Sequence, residues 1–100
     1  MKTLALLTVA GLRFYGYFNH KDDLTGKEVT FEPEPTNPYD EHAIKIMLDG
    51  KQMGHVPRTQ TGVLHEYIGK GVEVKGRVTN HYPKAVIVLA YIEEPADAKD

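Results

Sequence analysis

The sequence predicts a mainly β protein, a small antiparallel barrel carrying one short helix. Three observations lead there. Apolar and polar residues alternate through Lys27–Glu32, Ala43–Leu48 and Val72–Thr79, as they do in strands buried on one face. Turn residues punctuate the chain at Thr25-Gly26, Asp49-Gly50 and Asn80–Lys84, at intervals that suit hairpins. Only the segment between Pro57 and Gly69 spaces its apolar residues as a helix does. A chain of 100 residues has room for one modest core, and a curved sheet closing on itself protects the edges of short strands. The domain is expected to occupy residues 1–94, with 95–100 as a frayed acidic tail.

In chain order, Leu4 to Val9 reads as a buried first strand. The run Met1–Ala10 also mimics a secretory signal, with Thr8-Val9-Ala10 ahead of a cut. Its apolar stretch is short, however, and cleavage would remove a strand leading straight into Arg13. The strand is the reading adopted. Gly11 permits a bend, and Leu12 to Phe18 continue extended, with Leu12, Phe14 and Phe18 on one face and Arg13, Tyr15 and Tyr17 on the other. After a polar loop over Asn19–Gly26, Val29 and Phe31 point inward from the next strand, and Ile44, Ile46 and Leu48 share a face of the one after. Asp49-Gly50 is a strong hairpin signal, so Lys51–Val56 should pair back antiparallel. In the helix, Thr59 is the expected N-cap, Val63, Leu64, Tyr67 and Ile68 form the apolar stripe, and Gly69 and Gly71 end it. Val72–Thr79 is a half-exposed strand, while Ala85–Ile92 is apolar on both faces, as a central strand is.

Composition narrows the function. A formal charge of −2 and a pI near 6.2 argue against a long electrostatic track on nucleic acid, which calls for a strongly basic domain. Contact with DNA would span a few nucleotides and use local charge. The chain has neither cysteine nor serine, so disulfides, thiolate metal sites and the usual acyl-transfer nucleophiles are missing together. None of the histidines (His20, His42, His55, His65, His81) pairs at a metal-binding spacing. The acidic pairs Asp22-Asp23 and Glu93-Glu94 sit in loop and tail, and no glycine-rich phosphate loop is present. No enzyme, no cofactor and no metal are the expectations. A reducing compartment suits the cysteine-free chain, so a cytoplasmic location is expected, and no run approaches the length of a membrane span.

The most informative stretch is Glu34–Arg58, EPTNPYDEHAIKIMLDGKQMGHVPR. Pro35 and Pro38 fix φ and bias Glu34 and Asn37 towards extended conformations, so the loop can hold Tyr39 and Asp40 at low entropic cost. Turns use the same residue types for purely structural reasons. Between Gly50 and Arg58 the chain carries Lys51, His55 and Arg58 and no acid, a local positive patch on a mildly acidic protein. A solvated, charge-guarded edge strand is the plainer account of that patch.

Gly11-Leu12-Arg13-Phe14-Tyr15, then Glu34-Pro35, Asn37-Pro38-Tyr39-Asp40, Ala43-Ile44-Lys45-Ile46 and Gly54-His55-Val56-Pro57-Arg58 follow one another in an order and spacing that resemble the HIRAN domain family. The resemblance spans more than half of the chain, and it is the combination that is specific. The family occurs beside the motors of Swi/Snf-type DNA-repair ATPases and as small free-standing proteins. The resemblance therefore implies an oligonucleotide-binding-like (OB-like) barrel, and a module that captures the free 3′-hydroxyl end of single-stranded DNA in repair or replication. No trace of the ATPase motor is in this sequence.

Under that resemblance Arg13, His55 and Arg58 would hold phosphate. Phe14 with Tyr15 or Tyr39 would stack on a base, and Asp40 would accept a hydrogen bond from the 3′-hydroxyl while repelling a 3′-phosphate. Each has a bland alternative. Phe14 alternates with Leu12 and Phe18 and so reads as core, unless a bulge re-aims it. Asp40 can cap the following turn while Tyr39 packs over Pro38. Gly54 allows a close backbone approach, to a neighbouring strand or to a nucleotide. Two other functions stay open: a protein-interaction module without nucleic-acid binding, and a binder of RNA ends or nucleotides.

Overall fold

Six antiparallel strands form in the computed structural model, which describes residues 1–93; the expected acidic tail, and Glu94 with it, lies outside the described residues. The strands are β1 (Lys2–Thr8), β2 (Glu28–Pro33), β3 (Ile44–Leu48), β4 (Lys51–His55), β5 (Lys75–Tyr82) and β6 (Ala85–Ile92). They lie in the order β1-β6-β5-β2-β3-β4. One helix, α1 (Thr61–Ile68), follows β4. The period-two residues go where alternation sends them: Ile44, Ile46 and Leu48 of β3 are buried, with Val29 of β2, Val78 of β5 and Val86 and Val88 of β6. Leu64 of α1 is fully buried against the same core. The Asp49-Gly50 hairpin forms with both residues at positive φ, which asparagine, aspartate and glycine tolerate best.

The sheet curls until its two edges meet. Past the end of β1, Ala10 N–H donates to the His55 carbonyl at 2.9 Å and His55 N–H donates back to the Ala10 carbonyl at 2.8 Å. This bridge is the seam of an OB-like barrel that stays open elsewhere between β1 and β4. Gly54 makes it possible. A Cβ there would run into the Ala10 carbonyl oxygen and Val9 Cγ1, so the close approach is to a neighbouring strand.

Several local expectations are corrected. Leu12–Phe18 is not a strand: Leu12–Tyr15 is a 3₁₀ turn between Gly11 and Gly16, both left-handed at φ 84° and 86°. Leu12 is buried beneath it, but Phe14 is 83% exposed rather than a core residue. The glycines turn the chain before the alternation can be used. β1 is a half-buried edge strand, with Leu7 inside and Leu6 out, and Val9 just past its end is buried as well. Thr59 does not cap α1; it lies in a 3₁₀ turn over Arg58–Gln60, and Gln60 precedes the helix without a side-chain cap. β5 starts at Lys75 because backbone bonds from Gly71 to Ile68 and from Val72 to Tyr67 first wrap the chain around the end of α1. A register shift between Val78 and Asn80 then carries β5 through Tyr82, so the turn is narrower than Asn80–Lys84.

Candidate nucleic-acid interface

The loop between β2 and β3 is held by its own side chains. Asn37 Oδ1 accepts the backbone N–H groups of Tyr39 at 2.8 Å and Asp40 at 3.1 Å, an Asx turn that the flanking prolines only pre-shape. The Asn37 N–H donates to the Glu34 carbonyl at 3.0 Å, and its side-chain amide reaches Glu34 Oε1 at 3.3 Å. Asp40 closes the next turn, accepting the His42 N–H at Oδ1 (2.9 Å), while the Ala43 N–H donates to its carbonyl. His65 of α1 ties down the far side, with Nε2 at 2.9 Å from the His42 carbonyl. Tyr39 does not pack over Pro38: its ring is 89% exposed at the tip of this locked loop.

β4 and the turn after it bring the basic residues to the loop. Arg58 Nε lies 3.5 Å from Asp40 Oδ2, with most of its side chain in solvent. Asp40 therefore serves both as turn cap and as ion-pair partner, with its side chain about one-fifth exposed. His55 Nε2 stands 2.8 Å from Glu34 Oε1, and the edge of the Tyr15 ring approaches the imidazole at a centroid distance of 6.1 Å. The His55 hydrogen bond is the main reason the Glu34 carboxyl is held below the usual glutamate value; partial burial pushes the other way and loses. The acid-free stretch from Gly50 to Arg58 is thus not a bare positive patch. The fold supplies Glu34 and Asp40 from the facing loop.

Asn37, Tyr39, Asp40, His55 and Arg58 together line a cavity of about 250 Å³, open to solvent and floored by Ala10 at the seam. Arg13 and Phe14 instead line a neighbouring groove of about 350 Å³ with Phe18 and Lys84. There the Arg13 guanidinium lies over the Phe18 ring at 4.5 Å, a cation–π contact that pre-orients it. Tyr15 lines neither, and meets the cavity only through its ring contact with His55. Four of the seven expected residues (Tyr39, Asp40, His55, Arg58) meet in one cavity, and Arg13 and Phe14 meet in the groove beside it. Gly11 and Ala10, adjacent in the chain, each border one of them.

Glu34 and Asn37 stand in the family segments but were not expected as site residues, and Lys84 was expected only in a turn. Asn37 had a usable signal, since asparagine ahead of proline in a turn commonly bonds backbone two residues on. For Glu34 the segment gave the position but not the role, because its partner His55 is 21 positions away. Among the described residues no group of three or more histidine, aspartate or glutamate side chains is placed to hold a metal, and no helix is long and apolar enough to cross a membrane.

Comparison with known proteins matches the family model of the HIRAN domain to residues 4–94. The helicase-like transcription factor of Mus musculus is 42% identical over 52 residues, covering 50% of this chain and 5% of its own length. The Homo sapiens protein of that name is 38% identical over 58 residues, covering 56% of this chain and again 5% of its own. This chain therefore spans a small fraction of these relatives. Among solved structures, a Lactobacillus plantarum protein superposes with a TM-score of 0.77 at 20% identity, covering 91% of this chain and 93% of that one. The HIRAN domain of human HLTF gives 0.67 at 23% identity, covering 93% and 81%. At those identities the structural likeness concerns the fold.

Proposed function

This chain belongs to the HIRAN domain family, and from that premise we propose that it is a nucleic-acid-binding module that captures the 3′-hydroxyl end of single-stranded DNA, in repair or replication. The observation that carries the reading is the convergence of Tyr39, Asp40, His55 and Arg58 on one small open cavity. An ionised carboxylate has about four acceptor positions. Asp40 uses one on the His42 N–H and one on Arg58, which leaves capacity for a ribose hydroxyl. A terminal phosphate in the same place would bring like charges together. Arg58, engaged through Nε, can offer its terminal amino groups to the preceding phosphodiester.

The exposed rings of Tyr39 and Phe14 supply sequence-blind stacking, worth about 1–3 kcal/mol per base. A ring left 83–89% in water contributes little to folding, so the two rings are better explained by a ligand than by the core. Arg13 and Lys84 in the adjoining groove would meet the strand on its 5′ side. The module binds and does no chemistry of its own.

The test is a titration of labelled oligonucleotides of one sequence ending in a 3′-hydroxyl or a 3′-phosphate. Clear preference for the hydroxyl is expected, and Asp40→Ala should weaken binding and reduce that preference. Equal affinity for both ends would remove end capture. No binding at low salt would leave the protein-interaction role, and tighter binding of the RNA counterpart would redirect the proposal to RNA ends.

A further inference from the structure

We infer that Glu34 is a positioning residue for the cavity: it fixes the ring of His55 so that Nδ1 alone faces the ligand, and the charge on that ring then selects between a hydroxyl and a phosphate terminus. The inference deepens the 3′-end reading and rests on it. Glu34 Oε1 is 2.8 Å from His55 Nε2. A carboxylate held in its ionised form repels a ring nitrogen lone pair, so this distance requires the proton on Nε2. The Gln52 amide nitrogen, 3.4 Å from the same atom, is then a donor facing a donor and is satisfied instead by the Gly54 carbonyl. His55 lines the cavity, and among the described residues Nδ1 has no hydrogen-bond partner. The same Glu34 oxygen receives the Asn37 amide at 3.3 Å, so one carboxylate sets both the imidazole and the turn that presents Tyr39 and Asp40.

Two chemistries follow for one geometry. Neutral His55 shows the ligand a bare Nδ1 lone pair, which accepts from a hydroxyl and repels phosphate. Protonated His55 shows an Nδ1–H, which donates to phosphate and cannot accept. The charged and titratable groups facing the ring are Glu34 from the loop, Tyr15 from the 3₁₀ turn, Lys45 paired opposite on β3 (itself bound to Glu32 at 3.5 Å), and Asp40 and Arg58 across the cavity. Preference for a 3′-hydroxyl over a 3′-phosphate should therefore shrink on acidification, as the ring gains its second proton.

The experiment has two readouts. Nitrogen chemical shifts of the His55 imidazole in labelled protein should give the Nε2–H tautomer at about pH 8. Glu34→Gln should keep that tautomer, since an amide oxygen still accepts, whereas Glu34→Ala should give a tautomer mixture. In parallel, the affinity ratio for 3′-hydroxyl and 3′-phosphate oligonucleotides should fall several-fold between about pH 8.5 and about pH 5.5. His55→Asn should flatten that dependence. An Nδ1–H tautomer in the unmodified protein, an unchanged tautomer in Glu34→Ala, or a pH dependence that survives in His55→Asn would each overturn the inference. If neither oligonucleotide binds at any pH, the 3′-end reading fails, while the tautomer measurement still decides the role of Glu34.

Discussion

Arg13–Tyr15 and Asn37–Asp40 both present exposed rings beside His55, yet they are held in opposite ways. The first is fixed by backbone: two left-handed glycines bracket a 3₁₀ turn, the Phe14 N–H donates to the Gly11 carbonyl at 2.9 Å, and buried Leu12 is its anchor. The second is fixed by side chains, through Asn37 Oδ1, Asp40 Oδ1 and the Glu34 carboxylate. Substituting a ring on the backbone-held turn should remove a contact and nothing else. Removing a polar side chain from the loop should remove the shape that positions everything near it. Tyr39 and Asp40 are precise because of Asn37 and Glu34, which lie behind them.

A substitution at the seam that joins the two regions should have the largest effect. Gly54→Ala would push a methyl group into the Ala10 carbonyl, and overpacking against backbone costs about 3 kcal/mol. The urea midpoint should fall accordingly, with both regions losing amide protection together. Phe14→Ala comes next in size: affinity for a single strand should drop by about 1–3 kcal/mol, while the urea midpoint stays put because the ring is 83% exposed. Asn37→Ala should cost about 1 kcal/mol of stability and also weaken binding, though Asn37 is not one of the stacking or charged groups. A binding loss without any stability change would mean that the loop is not held as described.

Arg58→Ala is smaller still. Binding should weaken evenly across sequences, and the dependence of log affinity on log salt should become shallower by about one unit. The smallest effect is in acid. Because the Glu34 carboxyl is held below its ordinary value in the folded protein, its contribution to stability is present above that ordinary value and is lost as pH falls through the depressed one. Glu34→Gln should therefore unfold with a shallower acid limb, read by circular dichroism along a pH series.

Where one face of a strand is buried, the chain states its own structure. β3 and the β3–β4 hairpin fall where alternation and Asp49-Gly50 put them, because a slip of one residue would turn Ile44 and Ile46 into water, and β6 falls where a run apolar on both faces put it. The resemblance put Arg13, Phe14, Tyr15, Tyr39, Asp40, His55 and Arg58 forward as one group, which periodicity could not do; in the fold Tyr39, Asp40, His55 and Arg58 line one cavity, and Arg13 and Phe14 line the groove beside it. Periodicity failed at Leu12–Phe18 for a local reason. Gly11 and Gly16 can take conformations other residues avoid, so the turn between them obeys no strand rule, and Phe14 is released to the surface. The role of Glu34, a residue of the family segment, was hidden for a non-local one. Its meaning lies in a histidine on another strand, and only the curl of the sheet that brings β4 to the loop reveals it.

On the proposed function, this cavity should receive a strand terminus and refuse an interior stretch. The decisive comparison is between a linear single-stranded oligonucleotide and the covalently closed circle of the same sequence, at one salt concentration. The linear strand should bind and shift the amide signals of Asn37–Asp40 and His55–Arg58, while the circle should leave them in place. Equal binding of the circle, with the same signals moving, would contradict it.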